Sequence, residues 1–176
     1  MIKHNYFYTA ASRGDIFESG IGNALARMFS GSYTPTPWTP EYGQPSGDGV
    51  LCVNGKTLLC EIKSETYPSL NFCFETNGGG GRDSGLTTAS YSVEVLLQYH
   101  ARQDILIAAK PAVLLNFIRQ HGGESGIWFA PQMGDGGRAA GFIVPLGLLT
   151  GQSWVRTFIN FSGQNWTGCY ALPPLP

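Results

Sequence analysis

The sequence predicts an α/β domain built on a mixed central β-sheet. Three observations carry this expectation. An amphipathic helical pattern comes early in the chain. A run of strand-type segments then folds back on itself at an Asn-Gly dipeptide, and a strand–strand–helix pattern follows.

Residues 12–30, SRGDIFESGIGNALARMFS, place Phe17, Ile21, Ala24, Leu25 and Met28 at three- and four-residue spacing, with Ser12 or Asp15 available as cap. Residues 31–47 hold four prolines among Gly and Ser and read as a loop. Apolar runs at about 49–53 and 56–63 flank Asn54-Gly55, the strongest short-range signal for a two-residue hairpin. A third strand at 70–76 completes a meander of about three strands, and the glycine-rich NGGGGRD follows at 77–83. SGLTTAS reads as a short helical turn feeding a strand at 91–98, and DILIAAK as a strand at 104–110. PAVLLNFIRQHG is a helix with proline in its favoured first turn. Beyond residue 122 come a second glycine-rich loop at 132–141, a strand over FIVPL, the segment WVRTFINF and a PPLP tail.

The length of 176 residues suits one domain over 1–176, with core motifs at about 12–120 and a loop-and-strand extension at 122–176. Hydrophobic residues at 43% and charged residues at 13% describe a folded globule. A net charge of -1 argues against coating nucleic acid through a broad basic surface, but leaves room for a local groove around an acidic metal site. No apolar run reaches the roughly 18–20 residues that span a bilayer, so no membrane partner is expected. The first residues lack a signal-peptide apolar core, which predicts a cytoplasmic protein. The four cysteines lack zinc-type spacing and read as reduced, in or near the core. His4, His100 and His121 are scattered, and the four tryptophans read as core or loop anchors.

The chemistry concentrates on the hairpin. If Val53 pairs with Lys56, later partners sum to 109, and Asp48 falls opposite Glu61. Alternation puts Asp48, Glu61 and Lys63 on one face. Like charges opposite each other on a sheet are destabilising, so such a pair calls for a cation. Lys63 supplies one, and a divalent metal would supply a stronger one. Glu18 sits beside Ile21 and Leu25 at the border of the helix's apolar face, where it can point towards the same place. The competing reading takes Asp48 as a turn residue, Glu61 and Lys63 as a solvated sheet face, and Glu18 as a charge favouring the helix N-terminus. Downstream, Arg82, Ser84, Thr87 and Thr88 are suited to phosphate contacts beside the 77–81 glycine run.

The pattern Asp48-x(12)-Glu61-x-Lys63, with Glu18 on a preceding helix, resembles the PD-(D/E)XK nuclease superfamily. Gly47 stands where the motif name has proline, a departure many members share. Residues 74–95, FETNGGGGRDSGLTTASYSVEV, are similar to the segment after the catalytic strand in phage-type nucleases and resolvases, through Glu75, Arg82, Ser84, Gly85, Leu86, Thr88 and Tyr91. The resemblance covers about residues 15–120 and implies a restriction-endonuclease-like fold with helices flanking the sheet. It further implies Asp48, Glu61 and Glu18 as ligands of Mg²⁺ or Mn²⁺, Lys63 as a catalytic cation, and double-stranded or branched DNA as substrate. A structure-selective endonuclease cutting Holliday junctions, working as a homodimer in a host cytoplasm, is the leading expectation. An exonuclease, a restriction-type endonuclease or a catalytically silent nucleic-acid-binding module are the alternatives.

Overall fold

The computed structural model describes residues 18–36, 47–65, 69–78, 81–124, 126–133 and 138–161. The expected helix start around Ser12 and Asp15, residues 134–137 of the second glycine-rich loop and the PPLP tail lie outside these residues.

A helix, α1 (residues 18–28), leads into an edge strand β1 (Ser32–Pro35) and the hairpin β2 (Gly49–Val53) and β3 (Lys56–Glu65). Then follow β4 (Asn71–Asn77), α2 (Gly85–Ser92), β5 (Val95–His100), β6 (Ile105–Ala109) and α3 (Pro111–His121). The chain continues through β7 (Trp128–Met133), β8 (Ala139–Pro145), α4 (Leu146–Thr150) and β9 (Arg156–Ile159). The α/β class with a mixed sheet holds. A six-stranded sheet runs β1-β2-β3-β5-β6-β9, and a three-stranded sheet runs β4-β8-β7.

The hairpin register is the one the turn dictates. Val53 pairs with Lys56 and Gly49 with Cys60, across Asn54 and Gly55, both at positive φ. The expected three-strand meander is not formed. β3 pairs in parallel with β5 instead, and β4 leaves to pair with β8 in the second sheet. β4 and α2 thus form the crossover that a parallel β3–β5 pair requires.

Two cores sit on opposite faces of the large sheet. Ile21, Leu25 and Ala26 of α1 pack with Leu51, Cys60, Ile62, Leu97 and Leu106. On the other face, Leu96 and Ile107 pack with Phe72, Leu114, Ile118 and Val144, joining α3 and the small sheet to the large one. β5 is buried along its whole length, as a central strand covered on both faces should be. Its polar members face the second sheet: His100 is fully buried and its Nε2 lies 2.7 Å from the Ser69 carbonyl oxygen.

Three further boundaries differ from expectation. Residues 32–35, expected as loop, pair antiparallel with β2, and Pro35 is tolerated because this strand is an edge. α2 continues to Ser92, so the following strand begins at Val95, and Tyr91 is exposed. β7 has no counterpart among the expected strands. Its exposure pattern has no alternation, so it lacks the period-two signal of a half-buried strand. Among the described residues no helix is long and apolar enough to cross a membrane.

Candidate functional site

The site is built where β2 separates from β3. Gly47 has φ +88, and proline, fixed near -65°, cannot adopt that conformation. This accounts physically for glycine before Asp48. The Asp48 N–H donates to the Cys60 carbonyl at 2.8 Å, so the last ladder bond is made. One step further along β3, the Asp48 carboxylate accepts the Ile62 N–H at 2.6 Å. A side chain has taken the place of the backbone carbonyl that a continuing strand would offer. The N–H and C=O of one strand residue point the same way, so the Ile62 carbonyl faces this edge too.

Lys63 closes the arrangement. Its Nζ lies 2.9 Å from Glu61 Oε1, 3.3 Å from Asp48 Oδ2 and 3.8 Å from Glu18 Oε1. The structure therefore brings together all four residues singled out on the hairpin and the preceding helix. The Asp48 and Glu61 side chains are only 10% and 14% exposed, so a solvated face does not describe these two, while Lys63 is 38% exposed. Asp48 and Glu61 set two carboxylates against the one ammonium they share. Burial, with the neighbouring Asp48, pushes the Glu61 carboxyl above its usual range against the opposing pull of Lys63. Burial would depress Lys63, but Glu61, Asp48 and Glu18 together hold it above the ordinary lysine value. The Cys60 thiol, buried beneath the hairpin and close to Asp48 and Glu61, is pushed up to about 12 and donates to the Gly49 carbonyl. It is a packing cysteine.

Tyr33 belongs to the site although no sequence signal marks it. Its hydroxyl donates to the Asp48 carbonyl at 3.1 Å, and burial raises its pKa, with nearby Cys60, Asp48 and Glu18 adding to the shift. Its ring lies against Gly22 of α1 and Gly49 of β2, two positions where a Cβ would enter the ring's space. Glu18 is one helical turn before Gly22 and on the same side. The glycine–tyrosine–glycine contact thus sets how closely α1 brings Glu18 to Asp48. A Cβ at Gly22 would sit 2.6 Å from the ring, so Gly22→Ala is expected to cost about 1–3 kcal/mol in chemical denaturation. A denaturation midpoint equal to that of the wild type would show that the contact is not tight.

A cleft of about 990 Å³ opens from this cluster, between the large sheet and the small one. Glu61 and Lys63 line it together with Glu75, Ser84, Gln98 and Trp128. Of the residues expected to meet phosphate, Ser84 lines the cleft, and its hydroxyl hydrogen-bonds the Glu75 carboxylate. Arg82 is exposed, whereas Thr88 is half-buried on α2. Thr87 is buried, in the interior side of α2 and not on its surface. Trp154 packs on Phe117 as an anchor, but Trp128 does not fit that description. It is 45% exposed on β7.

The donor set at the cluster, two hard carboxylates and a backbone carbonyl edge, suits Mg²⁺ or Mn²⁺. Among the described residues no group of three or more His, Cys, Asp or Glu side chains is arranged to cage a metal ion. A cation here would rely on Asp48 and Glu61, with water and phosphate oxygens for the remainder, as Mg²⁺ commonly does. Its positive charge would offset the excess acid of the Asp48–Glu61 pair. Compared with protein-family models, curated proteins and solved structures, the chain matches none.

Proposed function

We propose that this protein is a divalent-metal-dependent nuclease that hydrolyses phosphodiester bonds in DNA, acting as a structure-selective endonuclease on branched substrates such as a Holliday junction. One observation carries the reading: a lysine ammonium held among three carboxylates at the point where a hairpin diverges. A purely structural ion pair needs one acid for one base, and the second acid of the Asp48–Glu61 pair costs stability unless a cation or a phosphate-bound cation meets it.

Asp48 and Glu61 would hold the cation. When bound, it supplies positive charge against the scissile phosphate and lowers the pKa of the attacking water. Lys63 stays protonated and places a charge beside the non-bridging oxygens, where negative charge grows as the bond breaks. The Ile62 N–H fixes the Asp48 carboxylate, so little reorganisation accompanies the reaction. Glu18, at 3.8 Å from Lys63, orients that ammonium from the helix side. Such an enzyme acts in the cytoplasm and as a homodimer, since symmetric cutting of two strands needs two sites.

Metal binding has its own test. Millimolar Mg²⁺ or Mn²⁺ is expected to raise the melting temperature, by about 2.7 kcal/mol of added stability at a hundredfold excess over Kd. The shift should disappear in Asp48→Asn. A wild-type melting temperature unmoved by either metal would count against the site. The activity is tested by a cleavage panel of four-way junction, flap, linear duplex, single strand and RNA. Absence of metal-dependent cleavage across all of them would reject the nuclease reading.

A further inference from the structure

The cleft beside the cluster has a lining unsuited to a phosphate backbone. Among the described residues on its walls, Lys63 is the only lysine or arginine, against Glu61, Glu65 and Glu75. The other polar side chains that line it are neutral, among them Asn71 on β4, Gln98 on the central strand β5 and Gln132 on β7. Trp128 stands on the opposite wall from β5, in the same cleft as Glu61 and Lys63, and nearly half of its surface is open.

These features match one part of a nucleic acid. Amide side chains pair with base edges, an indole face stacks on a base, and carboxylates repel phosphates. A cleft of about 990 Å³ lies in the size class of small-ligand sites, too small to admit a duplex. Within a duplex the base faces are covered by their neighbours, so only an unpaired nucleotide can offer one to Trp128.

We infer that the cleft receives an unpaired nucleobase, stacked on Trp128, while the adjoining phosphate sits at the Asp48–Glu61–Lys63 cluster. The inference rests on the nuclease reading and narrows its substrate to DNA with unpaired nucleotides next to the cut. Trp128 is the selectivity residue, and it acts through binding rather than bond cleavage.

The test measures equilibrium binding in Ca²⁺ of a labelled duplex carrying a three-nucleotide bulge and of its fully paired counterpart. The wild type is expected to prefer the bulged duplex. Trp128→Ala should bind the bulged DNA about tenfold more weakly and the paired DNA unchanged, whereas Trp128→Phe keeps most of the preference, because a phenyl face still stacks on a base. Equal binding of bulged DNA by the wild type and Trp128→Ala would overturn the inference. So would an equal loss on both DNAs, or no binding by the wild type. The nuclease reading is scored separately, by cleavage of the same two DNAs in Mg²⁺ by the wild type and Lys63→Ala. If Lys63→Ala cuts like the wild type, that reading falls while a Trp128-dependent preference for the bulge stands. The reverse pattern retains the nuclease and removes the base pocket.

Discussion

Lys63→Ala is expected to cut branched DNA about 10²- to 10³-fold more slowly than the wild type, with the fold retained. The loss follows from position. The ammonium is 2.9–3.8 Å from three carboxylates, so under the proposed reading it would stand where an incoming phosphate meets the acidic pair. Without it, Asp48 and Glu61 would present negative charge, no longer offset by Lys63, to an anionic substrate. Asp48→Asn should lose as much activity for a different reason. An amide oxygen still accepts the Ile62 N–H, so the backbone stays satisfied, while the charge that holds the cation is gone. Asp48→Ala is the less clean variant, since it also strands that N–H at a cost of about 1–3 kcal/mol. Single-turnover cleavage with saturating enzyme separates these effects from binding. Wild-type rates in either Lys63→Ala or Asp48→Asn would remove the cluster from the chemistry.

Glu61→Gln is expected to abolish cleavage and, in metal-free buffer at neutral pH, to melt at a higher temperature than the wild type. Burial and Asp48 raise the Glu61 carboxyl above its ordinary value of 4.5. A carboxyl with a raised folded-state pKa binds its proton more tightly when folded. It favours the fold below pH 4.5, and that contribution is lost as pH rises through the raised value. Above it the wild type carries a charge the fold disfavours, which the neutral amide of the variant lacks. The difference in melting temperature should therefore be small in acid and grow towards neutrality, at about 2–4 °C for each 1 kcal/mol in a chain of this size. Saturating Mg²⁺ should reverse the order, by stabilising only the wild type. A Glu61→Gln protein less stable than the wild type at neutral pH without metal would show that the 2.9 Å pair with Lys63 outweighs the repulsion.

The local parts of this structure could be read from the sequence. Asn54-Gly55 set the register that puts Asp48 beside Glu61, and Pro111 opened α3 where expected. The apolar runs around Leu97 and Leu106 became central strands because a buried strand needs only apolar residues of the right length. What failed was non-local. Nothing in residues 71–77 says that their partner is β8 and not β3, because both pairings bury Phe72 and Phe74. β1 is too short for a period to register: Tyr33 is its single buried residue, among exposed neighbours. The cleft was invisible for the same reason, since its walls come from strands whose association no local pattern encodes. At the site itself, Glu18, Asp48, Glu61 and Lys63 were legible from spacing. Tyr33, which sets the distance between their elements, was not, because a tyrosine among prolines looks like any loop residue.

The cluster and the cleft differ in how far along the chain their parts must travel. The hairpin brings Asp48, Glu61 and Lys63 together across no more than 15 residues, whereas Glu18 joins Lys63 across 45. The cleft needs β3 to wait for β5 across the crossover and β4 to wait for β8, so that residues 61 and 143 line one wall system. Short-range contacts close early and long-range pairing closes late. During refolding, and in a nascent chain, the surplus negative charge of the hairpin therefore precedes the neutral cavity beside it. The last contacts to form, and the first to open, are those that wall the cleft beside the cluster.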